Sequence, residues 1–139
     1  PYDTLMKYPL GTIIDLNQAD TTELKKIPGI GSRIARSIVN RRRLLGGFYQ
    51  IEQLGEIRLK AEKLRSWFSV DAGKIHRINI NKASVERMMH HPYISYYQAK
   101  VIAEYRKKKG KVRDLKQLML YEEFTPADFE RMAPYVCYD

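Results

Sequence analysis

The chain has 139 residues, of which 44% are hydrophobic and 29% are charged, and its formal net charge is +9. This composition suits one mid-sized globular domain or two small ones, and the absence of any apolar run near the roughly 18 residues of a transmembrane helix excludes a membrane-spanning segment. The positive charge favours a polyanionic partner, although a basic surface kept for solubility would give the same count.

Residues 1–13 come first and are predicted to be a lead-in outside an internal repeat of 64 residues. Placing each residue above the one 64 positions later gives 11 identities between positions 14 and 54, without a gap. The identical pairs are Ile14/Ile78, Asn17/Asn81, Ala19/Ala83, Pro28/Pro92, Ile30/Ile94, Ala35/Ala99, Ile38/Ile102, Arg42/Arg106, Gly46/Gly110, Gln53/Gln117 and Leu54/Leu118. The repeat predicts two modules, at 14–70 and 78–139, with a linker at 71–77.

Both modules are predicted to be helical, which gives an all-α fold of about four helices in each. The segments TIIDL and HRINI are predicted to be extended lead-ins, and no long strand is expected. Asp20 begins a capping-box pattern, and Ser32 is predicted to cap the long helix that follows. The helices predicted for the first module are 21–27, 33–45, 50–57 and 60–68. Those predicted for the second module are 84–91, 95–109, 114–121 and 126–133.

Residues 28–35, PGIGSRIA, place a glycine on each side of an apolar residue just before the long helix. Glycine lets the backbone take positive φ and approach a ligand with no Cβ in the way. The free N–H groups and the dipole of a helix N-terminus favour a phosphate. The pattern therefore predicts a phosphate contact at Gly29 and Gly31, with Ile30 filling the core between two helices. A purely structural turn is the alternative.

The spacing of apolar residues, glycines and Ala35 resembles the helix-hairpin-helix motif of DNA-binding proteins. Residues 16–54 resemble the paired helix-hairpin-helix domain of ComEA-type DNA receptors of bacterial competence, and the resemblance covers most of the chain. It implies two hairpins per module, related by a pseudo-twofold axis, and binding of double-stranded DNA without sequence preference. It also implies a location outside the cytoplasmic membrane, with an anchor in an N-terminal part. Because the chain begins with Pro1 rather than Met, we expect it to be a fragment.

The predicted DNA contacts fall into a main group in the first module and a secondary group in the second. The main group is Gly29, Ile30, Gly31, Ser32, Arg33 and Arg36, with Lys25 and Lys26 close by. The secondary group is Tyr93, Ser95, Tyr96, Lys100, Lys107, Lys108 and Lys109. Tyr93, Tyr96 and Tyr97 could stack on bases, but we favour packing between helices. The run 106–111 is equally well read as a solvated helix end, and the run 41–43 as a solvated face.

Three of the four hairpins that the resemblance implies lack their glycines. The second reads IRLK at 57–60, Tyr93 and Ser95 stand where Gly29 and Gly31 would be, and the last is LYEEFTPAD at 120–128. Residues 74–113 carry eleven Lys or Arg against two Glu, whereas 114–139 carry two against six acidic residues. We therefore expect the first module to bind DNA. The alternative is a protein-interaction module, with a partner docked on the tyrosine-rich second copy.

Catalysis, metal binding and cofactor binding are not expected. Some helix-hairpin-helix proteins are DNA glycosylases with a catalytic Asp beyond the hairpin, but no Asp occurs between Asp20 and Asp71. No Gly-rich nucleotide loop, nucleophile elbow or acid–base pair is present, so no small-molecule substrate is expected. The single cysteine, Cys137, excludes an internal disulfide, and His90 and His91 have no partner at ligand spacing.

Overall fold

The computed structural model describes residues 6–139 and confirms an all-α protein with two tandem modules. Residues 1–5 of the predicted lead-in lie outside the described residues. The chain divides into two compact units. The first ends at Arg43 and resumes over Gly47–Lys74, and the second contains Leu44–Gly46 and Ile75–Asp139. The division between Lys74 and Ile75 falls inside the segment 71–77 that the repeat marks as a linker.

The first module consists of short helices closed by one pair of short parallel strands. Ile14 of the lead-in TIIDL lies opposite Phe68 in this pair, so the predicted extended segment joins the two ends of the module. In chain order the elements are β1 (Ile14–Asp15), α1 (Thr21–Lys25), α2 (Ser32–Leu45), a 3-10 helix (Ile51–Ile57), α3 (Ala61–Leu64), a 3-10 helix (Arg65–Trp67), β2 (Phe68–Ser69) and a 3-10 helix (Ala72–Lys74).

The second module repeats this order, and its strand pair places Ile78 opposite Val136. Its last helix is longer than the equivalent helix of the first module, and Pro126 begins it at a position where proline fits a helix. In chain order the elements are β3 (Ile78–Asn79), α4 (Val85–Met89), α5 (Tyr96–Lys109), a 3-10 helix (Leu115–Leu118), α6 (Pro126–Met132), a 3-10 helix (Ala133–Tyr135) and β4 (Val136–Cys137).

The structure corrects three of the predicted helix assignments. Ala35 N–H donates to Gly31 O at 2.9 Å, so α2 begins at Ser32 and Gly31, not Ser32, is the residue before the helix. The segments predicted as helices at 50–57 and 114–121 are 3-10 helices. In the first of them Gln53 Oε1 accepts the N–H groups of Tyr49 and Gln50, which fixes a tight turn at the start.

Two asparagines 64 residues apart connect the segment before the first helix of each module to the loop that follows its long helix. Asn17 Nδ2 donates to Phe48 O at 2.9 Å, and Asn17 Oδ1 accepts from Phe48 N–H at 2.6 Å. Asn81 makes the same two bonds to Val112, both 2.8 Å long. Phe48 and Val112 are fully buried, so these backbone groups need the side-chain partner. The repeated asparagines are therefore structural.

An arginine of each module also donates hydrogen bonds to the segment that precedes the first helix of that module. Arg42 donates to Leu16 O at 3.0 Å and to Ala19 O at 2.7 Å, and Arg106 donates to two carbonyls of the second lead-in at 2.8 and 2.6 Å. Burial lowers the pKa of the Arg42 guanidinium, and the charge of Asp15 opposes that shift. The prediction that the run 41–43 is only a solvated face is therefore wrong for Arg42, which is half-buried.

The core of each module contains most of the apolar residues that the two modules share, together with residues found in one module only. Ile30 and Ile94 are buried, as are Trp67 and Phe68. His91 is only 3% exposed; Tyr93 N–H donates to its Nδ1 at 3.0 Å, and its ring packs on Tyr135. Within residues 6–139, no helix combines the length and the apolar character needed to cross a membrane.

Candidate nucleic-acid interface

Hairpin one, residues 26–31, connects α1 to α2 in a tight turn. Ile30 N–H donates to Ile27 O at 3.1 Å, and both side chains are buried between the helices. Gly29 has φ +90°, a conformation that a side chain would strain, whereas Gly31 has no positive φ. A Cβ at Gly31 would meet no atom within 4 Å. The two glycines therefore have different roles. Gly29 allows the backbone turn, and Gly31 leaves open space in front of the helix.

Backbone donors at the start of α2 are left without acceptors. The N–H groups of Ser32, Arg33 and Ile34 precede the first bond of the helix, as in any α-helix. No acceptor for these groups or for Gly31 N–H exists in residues 6–139, and no side chain caps this end. Four donors without a protein acceptor thus lie at the positive end of a 14-residue helix, an arrangement that suits an anion.

The predicted side-chain contacts lie around these donors. Ser32, Arg33 and Arg36 are exposed, and neither guanidinium has an ion-pair or hydrogen-bond partner in the described part of the chain. Lys25 and Lys26 are half-buried at the end of α1, where hairpin one begins. The structure thus brings the whole main group of predicted residues together at hairpin one, with Ile30 contributing backbone rather than side chain.

Hairpin two, residues 57–60, keeps the hairpin geometry without glycine. Arg58 takes the left-handed conformation, φ 64° and ψ 27°, directly after the 3-10 helix. Arg58 N–H donates to Gly55 O and Leu59 N–H donates to Leu54 O, both at 3.1 Å, which is the hydrogen-bond pattern of a Schellman turn. Lys60 then precedes α3 without a side-chain cap. The sequence places a hairpin here but, because it has no glycine, predicts that it lacks the DNA-binding form; the structure shows that the turn forms without glycine.

The two hairpins of the first module line one cavity of about 280 Å³. Hairpin one and α2 contribute residues 28–30 and Ile34, and hairpin two and α3 contribute residues 58–60, Lys63 and Leu64. The lining therefore combines apolar side chains with the cations Arg58, Lys60 and Lys63, and it includes Ile34 in the first turn of α2. These three cations are additions to the site. The sequence did not single them out, because the apolar spacing that marks hairpin one at Leu24, Ile27 and Ile30 is not repeated ahead of Leu59.

Replacing Arg58 with Gly should raise stability and lower affinity for a polyanion. A non-glycine residue in the left-handed region costs about 1 kcal/mol, which Gly avoids, so we expect the free energy of unfolding to rise by roughly 0.5–1 kcal/mol. Loss of the cation should weaken duplex binding severalfold. Urea denaturation and fluorescence anisotropy measure the two effects. Arg58→Lys is the control that keeps the charge, and a stability gain with unchanged affinity would remove Arg58 from the site.

Hairpin three, residues 92–95 in the second module, has two of its backbone donors bonded to side chains of the same helix end. Ser95 Oγ accepts from Gln98 N–H at 3.1 Å, and Gln98 Oε1 accepts from Ser95 N–H at 2.9 Å, a complete capping box. Ile34 stands at the position of Gln98 in the first module, and its side chain cannot accept a hydrogen bond. The replacement of Gly31 and Ile34 by Ser95 and Gln98 thus closes the helix end that is open in hairpin one.

Hairpin four, residues 121–125, is closed by an acidic side chain. Thr125 Oγ1 accepts from Asp128 N–H at 3.1 Å, and Asp128 Oδ2 accepts from Thr125 N–H at 2.9 Å. The Asp128 carboxylate therefore stands where an external anion would bind. Glu122 and Glu123 add negative charge beside it. Both hairpins of the second module therefore lead into helices that are capped by side chains of the same module.

The structure separates the predicted secondary contacts. Tyr93 is 7% exposed and packs against His91, Tyr135 and Arg131, so its prediction as a DNA contact is wrong. Tyr96 and Tyr97 are 46% and 70% exposed, so the favoured packing role does not apply to them.

The other members of the secondary group lie at the two ends of α5. Ser95 precedes the helix, Tyr96 is its first residue, and the Lys100 ammonium lies 6.0 Å from the centre of the Tyr96 ring. Lys107, Lys108 and Lys109 are exposed in the last turn, roughly 17 Å further along the axis at 1.5 Å per residue. The secondary group therefore does not form one site. Within residues 6–139, no group of His, Cys, Asp or Glu is arranged to hold a metal ion.

Comparison with known proteins points to the same motif. A family model described as the helix-hairpin-helix motif matches residues 11–65 and 73–137. The chain is also 22% identical over 144 residues to a protein of Xenopus laevis named "Endonuclease/exonuclease/phosphatase family domain-containing protein 1", covering 86% of this chain and 26% of that protein. The mouse protein of the same name is 24% identical over 152 residues, covering 86% and 27%. The chain thus spans about a quarter of these relatives. No solved structure gives a significant match.

Proposed function

Because the chain belongs to the helix-hairpin-helix family, whose motif indicates nucleic-acid binding, we propose that it binds double-stranded DNA without sequence preference through its first module. The observation that carries this proposal is the contrast between the modules. The first has open helix ends and free cations around one cavity, whereas the second caps its hairpins with its own side chains.

The proposed contacts are to phosphates and not to bases. Gly31 and the first turn of α2 donate backbone N–H groups to one phosphate, and Arg33 and Arg36 neutralise its neighbours. Arg58, Lys60 and Lys63 do the same for a phosphate at the cavity. Since phosphates are identical at every base pair, such contacts position the protein on DNA and read no sequence.

Duplex binding measured against salt tests the proposal. If about four to six cations each displace a counterion, the slope of log K against log[KCl] should lie roughly between −3.5 and −5.5, and unrelated duplexes should bind alike. Fluorescence anisotropy with two labelled duplexes of different sequence measures both quantities. No binding at low salt, or a strong preference for one sequence, would contradict the proposal.

We also propose that this chain holds DNA without cleaving it. The cavity of the first module is lined by cations and apolar side chains, and no carboxylate lines it to act as an acid or base. Incubating labelled duplex with the protein and Mg²⁺, followed by denaturing electrophoresis, should show intact strands. Cleavage that survives further purification would overturn this part of the proposal.

Two biological settings fit a non-specific duplex binder. The resemblance to ComEA-type receptors favours DNA uptake outside the cytoplasmic membrane. The names of the relatives favour a region that holds DNA for an endonuclease, exonuclease or phosphatase family domain elsewhere in a longer protein. We favour the second setting, because those relatives match 86% of the chain. Fractionation of cells that produce the protein separates the two, since uptake requires an extracytoplasmic location.

A protein partner for the second module is the second candidate function. The exposed fractions of Tyr97, Met119 and Leu120 are 70%, 66% and 93%, and these apolar side chains lie in a module whose hairpins are capped by its own side chains. We therefore expect a Tyr97→Ser/Leu120→Ser variant, which leaves the net charge unchanged, to bind duplex as well as wild type. A tenfold weaker complex would instead place Tyr97 or Leu120 in the DNA site.

A further inference from the structure

The segment ahead of β1 reaches back to hairpin one. Lys7 Nζ donates hydrogen bonds to Lys25 O and to Ile30 O, the second at 3.3 Å. Next to it, Tyr8 N–H donates to Lys26 O at 2.7 Å, and the Lys26 ammonium lies 5.7 Å from the centre of the Tyr8 ring. These bonds satisfy carbonyls at and beyond the end of α1, where a cation is also favoured by the helix dipole.

The contact at Ile30 involves the same peptide unit as the free Gly31 N–H. In a trans peptide the carbonyl oxygen and the amide hydrogen point in opposite directions, and no peptide bond in the described chain is cis. An ammonium group on Ile30 O therefore leaves Gly31 N–H facing away from Lys7. A cation on the oxygen also polarises the peptide, and linked hydrogen bonds strengthen one another, so Gly31 becomes a better donor.

We propose that Lys7 is a positioning residue for phosphate binding, because its ammonium group holds hairpin one by the carbonyls of Lys25 and Ile30 and polarises the Ile30–Gly31 peptide toward the phosphate. This inference rests on the proposed function and adds a residue to it. Lys7 acts through the hairpin and does not touch the DNA. It also lies ahead of the region that the family model matches, which begins at residue 11.

The second module offers an internal comparison. The residue 64 positions after Lys7 is Asp71, which cannot donate to the equivalent carbonyls. The nearby Lys74 instead forms an ion pair with Asp15 at 2.9 Å. Among the described residues, no lysine reaches Met89 O or Ile94 O, the carbonyls equivalent to those bound by Lys7. The ammonium contact therefore occurs in the module with open hairpins and is missing from the closed one.

Lys7→Met tests the inference through affinity and salt dependence together. We expect the Kd for duplex DNA to rise about threefold to tenfold, with the slope of log K against log[KCl] unchanged. A lysine that contacted phosphate directly would lower that slope by about 0.9 on removal. Lys7→Arg, which keeps a cationic donor, should recover most of the affinity. Lys116→Met, an exposed lysine of the second module, controls for the loss of one net charge.

Amide exchange supplies a second measurement, because a change in net charge alone would not alter the exchange rates of particular N–H groups in the hairpin. In Lys7→Met the N–H groups of Ile30 and Tyr8 should exchange faster, while that of Ala99 in the second module keeps its rate. An unchanged Kd, or a slope reduced by about 0.9, would overturn the positioning role. If Gly31→Ser loses affinity and Lys7→Met does not, the inference fails while the proposed function stands. If wild type binds no duplex, both fail.

Discussion

Replacing Gly31 with Ser should weaken duplex binding about tenfold to hundredfold while the fold stays intact or becomes slightly more stable. A serine there can accept the N–H of Ile34, three residues on, as Ser95 Oγ accepts that of Gln98 at 3.1 Å. One donor is then lost to the ligand, and a side chain occupies the open space in front of the helix. A hydrogen bond to a charged group is worth about 1.5–3 kcal/mol, and each 1.4 kcal/mol is tenfold.

The expected gain in stability comes from the same bond. Serine is preferred over glycine at a helix N-cap by a few tenths of a kcal/mol, and Gly31 has no positive φ that a side chain would strain. The other three hairpins carry Lys60, Ser95 and Thr125 at this position, so the fold tolerates a Cβ there. Gly29→Ser is a poorer test, because φ +90° makes any side chain destabilising.

Gly55→Ser is the matched control for Gly31→Ser. Gly55 is also exposed and has no positive φ, and a Cβ at this position would meet no atom within 4 Å. Fluorescence anisotropy with labelled duplex and urea denaturation, run on both variants, measure affinity and stability. If Gly31→Ser binds as tightly as wild type, the hairpin is a structural turn and the phosphate contact lies elsewhere.

Replacing Asn17 with Ala should lower the free energy of unfolding by about 2–4 kcal/mol. Asn17 satisfies both backbone groups of the fully buried Phe48, and its Nδ2 also lies 3.2 Å from Asp71 O. Alanine leaves these buried groups without partners, which costs about 1–3 kcal/mol for each group that stays unsatisfied. The loss is larger than for an ordinary surface substitution, which changes stability by less than about 0.5 kcal/mol.

Urea denaturation gives the total loss, and amide exchange at Phe48 shows where it arises. Asn81→Ala is the matched variant of the second module, and it should accelerate exchange at Val112 and not at Phe48. Gln18→Ala, an exposed neighbour of Asn17, should leave stability unchanged. Equal exchange at Phe48 in wild type and Asn17→Ala would show that the bonds carry little of the module's stability.

The 64-residue repeat predicted the two modules but not the roles of all the residues that they share. Comparing residues 64 positions apart identified two similar modules, because buried positions such as Ile30 and Ile94 must keep their size and polarity. The same comparison marked Asn17 and Arg42 as shared, but gave no reason. Their role depends on backbone groups 23 to 31 residues away, such as Phe48 and Leu16, and spacing along the chain does not reveal such partners.

Hairpin two shows where the sequence rule failed. Glycine is the usual residue for positive φ, so its absence from IRLK suggested that this hairpin does not keep the DNA-binding form. The structure places Arg58 in the left-handed region, because the Schellman bonds to Leu54 and Gly55 fix the turn. Packing and hydrogen bonds thus overcame a local preference of about 1 kcal/mol.

By itself, the sequence determined the helical class, the two modules, hairpin one and its cluster of predicted contacts. These follow from local patterns: apolar spacing, glycine positions and charge. Only the tertiary structure decided which hairpins are open, because that depends on whether a side chain reaches a particular N–H group. It also decided that Arg58, Lys60 and Lys63 line one cavity with hairpin one, that Tyr93 is buried, and that Lys7 holds the hairpin carbonyls. Each of these depends on residues brought together by folding, and local spacing does not encode such distances.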